Sequence, residues 1–255
     1  SGYFASAMAL SNQGTIAATG AGTLTVNPDT LTNATSGLLS ATSGATLTIA
    51  PTTSWTNAGT ITANGGTVNL GGSCTTAGLG TINNTSGSVN FTGVVNNQSA
   101  TLTLAGGGGA WQMNGGTING GTVTMTGGAT LVCAPNGSNV LSGVTVNGPI
   151  VLGSNGARLR IAGGLALNGT MTISASASSL GFDGTQTVTA GTFSVSGGGA
   201  IGMATAGTLT LNPGVLVVGG NSGGIGTSGY FASAMALSNQ GTIAAAGAGV
   251  LTVNP

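Results

Sequence analysis

Short runs of alternating polar and apolar residues recur along the whole chain at a nearly constant spacing, and they constrain the fold more than any other feature. The runs Thr46–Ile49, Thr67–Leu70 and Ser88–Phe91 start at equal steps along the sequence. A period of two places Thr, Ser or Asn on one face of a strand and Leu, Val, Ile or Met on the other. Repeats of about 20 to 50 residues are typical of solenoids, in which each rung buries its apolar row against neighbouring rungs. The sequence therefore predicts an all-β fold, a parallel β-helix (β-solenoid) with rungs of about 21 residues.

A much longer repeat overlies the short one. Residues 1–28 read SGYFASAMALSNQGTIAATGAGTLTVNP, and residues 228–255 match them at 26 of 28 positions. The first copy starts at Ser1 and the second at Ser228, so we assign residues 1–227 to one long repeat unit of a continuous β-solenoid and residues 228–255 to the start of the next. The sequence predicts a tandem array, in which both copies stack on their preceding rungs in the same register.

The scarcity of charge excludes several classes of function. The net charge is zero and the charged side chains are Asp29, Arg158, Arg160 and Asp183. Two arginines cannot neutralise a row of phosphates, so we expect no nucleic-acid partner. Polar residues interrupt every apolar stretch well before the roughly 18 residues that a membrane span needs. We therefore expect no membrane insertion in this segment, and any export signal to lie outside it.

The same composition argues against an enzyme. General acid–base catalysis needs titratable groups within reach of one another, but more than half of the chain separates Asp29 from Asp183 in the sequence. At about 4.8 Å per rung they would be roughly 35 Å apart along the axis, far beyond the roughly 5 to 9.5 Å of glycosidase carboxylate pairs. With no His and two distant Cys, the chain also lacks the ligands for a metal site. We predict no catalytic, cofactor-binding or metal-binding residues, and no cofactor.

The rung pattern resembles that of a known family. It is clearest in residues 55–68, WTNAGTITANGGTV, and in residues 114–124, NGGTINGGTVT. In this pattern the chain is similar to the right-handed parallel β-helices of bacterial surface proteins, such as autotransporter passenger domains and filamentous-haemagglutinin-like adhesins. The resemblance covers the whole chain. It implies secretion, an extracellular or cell-surface location and a surface role.

A few side chains are candidates for binding. Arg158 and Arg160 alternate around Leu159 and should project from one outward face, either as a solvated pair or as a contact for one anion or sugar. Trp55 and Trp111 could stack on sugar rings if exposed, or could fill solenoid corners. Threonine pairs that could align as a flat ice-binding array occur at Thr23/Thr25, Thr46/Thr48, Thr60/Thr62, Thr101/Thr103, Thr122/Thr124, Thr170/Thr172, Thr187/Thr189 and Thr208/Thr210. Threonine is also simply a good neutral strand former.

The two cysteines should not form a disulfide with each other. The step in sequence from Cys74 to Cys133 is close to three rungs, or about 14 Å along the axis, whereas bridged Cα atoms lie within about 7 Å. We expect each thiol to face inward as a small apolar group. Sequons that permit glycosylation without showing it occur at Asn33, Asn83, Asn84, Asn90, Asn97, Asn136 and Asn168.

These observations favour a mechanical function. The sequence predicts a non-catalytic extracellular fibre, stalk or adhesin shaft built from tandem β-solenoid repeats. Its main partner would be itself, by tandem repetition or end-to-end docking, with surface glycans as a further partner. The alternative is a binding module that uses the flat Thr-X-Thr face for ice or carbohydrate.

Overall fold

The computed structural model describes residues 7–226, 229–246 and 249–255. Within them, short parallel strands stack into a β-solenoid of about 11 turns of about 22 residues, with almost no helix. The predicted all-β parallel β-helix is therefore confirmed. The mean rung is slightly longer than the sequence spacing predicts because the step between rungs varies: Thr67 pairs with Thr46, whereas Ser54 pairs with Thr30, which is a longer step.

The elements follow one another along the described residues as a series of short strands. The first part contains β1 (Ala9–Asn12), β2 (Thr15–Ala18), β3 (Thr23–Val26), β4 (Thr30–Asn33), β5 (Leu38–Thr42), β6 (Thr46–Ile49), β7 (Ser54–Asn57), β8 (Thr60–Asn64), β9 (Thr67–Leu70), β10 (Ser73–Thr75), the helix α1 (Thr76–Leu79), β11 (Thr81–Asn84), β12 (Ser88–Phe91), β13 (Val94–Asn96) and β14 (Thr101–Ala105). The rest contains β15 (Ala110–Met113), β16 (Thr117–Asn119), β17 (Thr122–Thr126), β18 (Leu131–Cys133), β19 (Val140–Asn147), β20 (Ile150–Leu152), β21 (Arg158–Ile173), β22 (Ser179–Asp183), β23 (Gln186–Val195), β24 (Ala200–Thr205), β25 (Gly207–Leu211), β26 (Val215–Gly219), β27 (Gly223–Gly226), β28 (Met235–Asn239), β29 (Thr242–Ala245) and β30 (Leu251–Asn254).

The chain divides into two units, of which the first comprises residues 1–96 and 107–110. Its strands form three parallel stacks, namely β1, β4 and β7, then β2, β5, β8 and β11, then β3, β6, β9 and β12. Within each strand the apolar residue faces inward, so that Leu47, Val68 and Val89 lie fully buried in one column. The alternating runs of the sequence are therefore the strands of this unit, each buried on one side only by its apolar row.

The second unit, residues 97–106 and 111–255, also has three parallel stacks. One contains β14, β17, β19, β21, β23, β25 and β28; the next contains β18, β20, β21, β23, β26 and β29; the third contains β16, β19, β21, β22, β24, β27 and β30. The long strand β21 contributes to all three stacks because it bends at corners. Gly163 and Gly164 have positive φ there, a conformation that residues with a Cβ resist.

The described part of the second copy continues this stacking. Met235, Thr242 and Leu251 pair with Gly207, Leu216 and Gly223, so that β28, β29 and β30 each add to an existing stack. The opening residues of the copies, 1–6 and 227–228, lie outside the described residues, as do 247–248. The division into long repeat units at residues 1–227 and 228–255 stays a prediction.

A row of buried asparagines closes one corner of the first unit. Asn12, Asn33 and Asn57 end successive strands and are aligned by the register. Asn12 Nδ2 donates to Asn33 Oδ1 at 2.7 Å, Asn33 Nδ2 donates to Asn57 Oδ1 at 2.7 Å, and Asn57 Nδ2 donates to the Leu79 carbonyl at 2.8 Å. A Cβ at Gly37 would overlap the Asn33 side chain, so glycine is required beside it. The amides satisfy carbonyls at a turn where the strand ladder is interrupted.

Candidate functional site

The carboxylate of Asp29 is held by two donors in the first unit. The Met8 backbone N–H donates to it at 2.6 Å and the Thr52 hydroxyl at 2.7 Å. The Met8 bond first, and the Thr52 bond second, hold the pKa of Asp29 below its ordinary value because both favour the ionised form. A carboxylate in this state accepts hydrogen bonds and is a poor proton donor at neutral pH.

The second carboxylate, Asp183, forms an ion pair with Arg160. Arg160 Nε donates to Asp183 Oδ1 at 3.1 Å and Nη2 donates to Oδ2 at 2.8 Å, which is the paired geometry that favours arginine over lysine. The side chains are 34% and 21% exposed, so water screens the pair in part. The alternative of a solvated arginine pair is therefore wrong. That prediction failed because Arg160 pairs with Gly181 of the next rung, and Asp183 follows closely enough for its carboxylate to reach the guanidinium group.

Arg158 has a different partner, the ring of Tyr230. Its guanidinium carbon lies 3.6 Å from the ring centroid, in a cation–π contact. Leu159 between the two arginines is fully buried, so the prediction that Arg158 and Arg160 share one outward face is confirmed. Within the described residues, Arg158 Nε is a buried nitrogen without a hydrogen-bond partner. The ring therefore covers this guanidinium group, and neither arginine stands as a solvated cation.

The tryptophans are structural. Trp55 lies inward in β7 and donates its indole N–H to the Gly71 carbonyl at 2.8 Å. Trp111 lies inward in β15 and donates to the Ala105 carbonyl at 2.9 Å. Both rings are buried, so the prediction of sugar stacking at exposed rings is wrong. The alternative that the rings fill solenoid corners agrees with the structure, since Gly71 lies in the turn between β9 and β10 and Ala105 is the last residue of β14.

The threonine pairs do not form one flat array. In the first unit, Thr25 and Thr48 are aligned, but the column continues with Asn69 and Asn90. Asn69 Nδ2 donates to the Thr48 hydroxyl at 3.1 Å and Asn90 Nδ2 donates to Asn69 Oδ1 at 2.9 Å. The pair at Thr60 and Thr62 lies in β8, which belongs to another stack. The side chains of such a column hydrogen-bond to one another from rung to rung, so the face presents only short threonine patches.

The same order of residues recurs in the second unit. Thr103, Thr124, Asn147 and Asn168 are aligned in that order. Asn147 Nδ2 donates to the Thr124 hydroxyl at 3.2 Å, and Asn168 Nδ2 donates to Asn147 Oδ1 at 2.8 Å. This Thr-Thr-Asn-Asn column was not foreseen. Its signal is the change from Thr-Leu-Thr to Thr-Val-Asn in successive runs.

Both cysteines face the interior. Cys74 in the first unit and Cys133 in the second are buried free thiols, so the predicted inward placement is confirmed. Burial raises the pKa of Cys74 to about 12 and shifts the pKa of Cys133 further in the same direction, because the thiolate would lose its hydration. Neither thiol is available as a nucleophile or metal ligand at neutral pH.

An open groove of about 570 Å³ crosses three rungs of the second unit. Its shape comes from irregular register between Ser142 and Val144 and between Leu165 and Ala166. Gln186 is fixed in its wall: Nε2 donates to the Ile161 carbonyl at 2.8 Å, and Oε1 accepts the Gly164 N–H at 2.9 Å. The polar lining includes Thr145, Asp183, Thr185, Gln186, Thr187 and Thr189. Such a surface offers hydroxyls and one carboxylate to a neutral polar ligand.

Within the described ranges, no three His, Cys, Asp or Glu side chains gather as metal ligands. No helix in the described part of the chain has the length and apolar character needed to cross a bilayer. Of the sequon asparagines, Asn33, Asn84, Asn90 and Asn97 are buried, so glycosylation of the folded chain is restricted to the others.

Comparison with known proteins adds no argument about this chain. No family model matches the chain, and no curated protein matches it. Among solved structures, a crystal structure of a TibC-catalyzed hyper-glycosylated TibA fragment is similar over 96% of this chain and 99% of that one, at 17% sequence identity and a TM-score of 0.26. A likeness this low supports no transfer of function.

Proposed function

We propose that this chain is a segment of a non-catalytic structural element outside the cell, a tandem β-solenoid that forms a fibre, stalk or adhesin shaft. One observation carries the proposal. The rung of the first copy, β1 to β3, pairs with the following rung, β4 to β6, whereas the rung of the second copy, β28 to β30, pairs with the preceding rung, β25 to β27. Since the two copies match at 26 of 28 positions, the same rung sequence accepts a neighbour on either edge.

A rung that accepts neighbours on both edges is suited to extension. Parallel strand edges recruit further strands unless they are capped. Continuation of the same polypeptide supplies the next rung most simply, and docking of separate chains is the alternative source. The engagement of Asp29 and Asp183 as hydrogen-bond and ion-pair acceptors supports the non-catalytic part of the proposal.

Electron microscopy of native material tests this function. About 11 rungs at about 4.8 Å each should give a thin filament with an axial repeat of about 50 Å. A compact, capped monomer in solution would refute the proposed fibre, although the β-helix fold itself would still be correct.

The groove of the second unit favours a second candidate, contact with a neutral glycan. Threonine hydroxyls and the Asp183 carboxylate can exchange hydrogen bonds with sugar hydroxyls. A glycan array probed with the intact chain should retain specific neutral glycans, and Thr187→Val should reduce that retention because it removes a hydroxyl at nearly constant volume. The matched control is Thr32→Val on the exposed face of β4. Equal retention by both variants, or no retention at all, would remove the glycan candidate.

A further inference from the structure

One outward surface of the second unit carries only small residues. The register pairs Ser179 with Ala200 and Gly181 with Gly202 across β22 and β24. We call these four residues the floor. They are buried, although strand alternation places them on the side opposite the core side chains Leu180 and Ile201. Something other than the core must therefore cover them.

The cover is the described start of the second copy. Phe231 is only 6% exposed, and a Cβ at Gly181 would lie 2.6 Å from its ring carbon Cδ2. A Cβ at Gly202 would overlap the Phe231 backbone carbonyl. Ser233 N donates to the Met203 carbonyl at 3.0 Å, which holds the segment along the edge of β24. Side chains larger than hydrogen at the two glycines would exclude Phe231, so the floor and the ring fit one another.

Tyr230 extends the contact to Arg158. Its ring meets Phe231 edge to face, with centroids 5.0 Å apart and planes at 82°, and lies over the guanidinium group of Arg158. Edge-to-face aromatic pairs and cation–π contacts are both attractive, so both favour this position of the Tyr230 ring. The tyrosine thereby joins the second copy to a strand two rungs away from β24.

The sequence makes this arrangement specific to the opening of the long repeat. The chain has two tyrosines, Tyr3 and Tyr230, and they occupy the same place in the two copies of Ser-Gly-Tyr-Phe. The floor glycines lie in runs, SLGF and AIGM, whose outward positions are small, whereas the preceding rung of the same stack has Arg158 and Arg160 there. Rungs that resemble one another specify register weakly, whereas a large ring over a glycine floor fits at one place.

We propose that the floor, together with Arg158, is the seat for the Gly-Tyr-Phe segment of the following long repeat, and that this clasp fixes the junction between successive long repeats. The inference rests on the proposed tandem array, because the occupant is defined as the opening of the next repeat. Within the chain described, residues 229–231 are that opening and occupy the seat.

Protection of Phe231 from chymotrypsin tests the clasp in the intact chain, because Phe231 is buried whereas Tyr230 is 55% exposed. The variant Gly181→Ala adds a methyl group beneath the Phe231 ring in an extended strand, where alanine is tolerated by the backbone. We expect cleavage after Phe231, followed by mass spectrometry, to become at least about tenfold faster, since burial of a phenylalanine is lost. The matched control is Gly214→Ala, whose Cβ would have the Thr189 carbonyl at 3.7 Å as its neighbour; its cleavage rate should not change.

A second variant covers the case in which Gly181→Ala does not fold. Arg158→Gln keeps the strand but removes the cation that contacts the Tyr230 ring, and cleavage at the adjoining Phe231 should rise about three- to tenfold. Circular dichroism confirms that each variant keeps its β-structure. Cleavage of Gly181→Ala or Arg158→Gln at the control rate overturns the clasp. Filaments with the expected axial repeat whose Phe231 is unprotected would refute the clasp alone, whereas a protected Phe231 in a capped monomer would refute the array alone.

Discussion

Replacing Asn33 with alanine would interrupt the buried asparagine row at its centre. Asn33 is fully buried, and its Nδ2 group donates to the Gly37 carbonyl at 3.1 Å, to Asn57 Oδ1 at 2.7 Å and to the Thr60 carbonyl at 3.3 Å. Its Oδ1 accepts from Asn12 Nδ2 at 2.7 Å. The substitution therefore removes the central member of a hydrogen-bond network that water does not reach.

The loss of stability in Asn33→Ala depends on which hydrogen-bonding groups lose their partner. Asn12 Nδ2 retains the Leu38 carbonyl at 3.2 Å and the Gly37 carbonyl retains the Thr60 N–H at 3.0 Å, whereas Asn57 Oδ1 loses the Asn33 amide. A buried polar group left without a partner costs about 1 to 3 kcal/mol, so the free energy of unfolding should fall by about that amount. A loss of about 2 kcal/mol corresponds to roughly thirtyfold faster local opening.

Native-state hydrogen exchange read by mass spectrometry measures this opening in residues 30–60. Asn83→Ala, at an exposed position in β11, is the control and should change the free energy by less than about 0.5 kcal/mol. Asn33→Leu separates hydrogen bonding from volume, because it fills the space without donating or accepting. Exchange in Asn33→Leu as slow as in the unmodified chain would refute the reasoning, since the amide contacts would then contribute nothing.

Three further outcomes follow from buried or paired groups. Burial raises the pKa of Cys74 to about 12 in the folded chain, so the protonated thiol contributes its full stabilisation below the unfolded pKa of about 8.5 and loses it as pH rises from there to about 12. The free energy of unfolding should therefore fall by about 2 kcal/mol between about pH 7.5 and 10. Urea denaturation across this pH range should show that Cys74→Ala removes this part of the pH dependence. Trp55→Ala should lower the free energy of unfolding by about 3 to 5 kcal/mol in urea denaturation, whereas a loss below about 1 kcal/mol would contradict its burial. Prolonged trypsin treatment should leave native material intact, because Arg158 and Arg160 lie in a strand, β21, that pairs with β19 and β22; rapid cleavage on a gel would mean that this segment is a loose loop.

The strands could be read from the sequence because their signal is local. The runs Thr46–Ile49, Thr67–Leu70 and Ser88–Phe91 are strands with those same bounds. Each run has a period of two and ends at a turn rich in glycine or asparagine, so nothing beyond the run and its flanking turn was needed to predict it. The parallel stacking then followed from the spacing of the runs.

The contacts of the charged and aromatic side chains could not be predicted, because they depend on register across rungs of unequal length. Arg160 meets Asp183 because it pairs with Gly181 in the next rung, where the register becomes irregular just before the carboxylate. Arg158 meets Tyr230 although the two residues lie several rungs apart in the sequence. The asparagine row, by contrast, has a local signal in the sequence, namely the pattern Asn-X-Gly-Thr-Ile that starts at Asn12 and again at Asn57.

Stacking also explains why the chain contains so little charge. In a solenoid the side chain at a given position lies about 4.8 Å from its counterparts above and below, and two like charges at that distance repel by about 1 kcal/mol in water and by several in a less polar setting. A charged residue copied from rung to rung would therefore accumulate repulsion, whereas a stacked Asn can donate to the Asn of the next rung, as Asn90 does to Asn69. Charge is tolerated where the neighbouring rung differs in chemistry. Arg160 has the opposite charge of Asp183 beside it, and Arg158 has the ring of Tyr230 over its guanidinium group. On this reasoning, the arginines are placed where the periodicity of the rungs is broken.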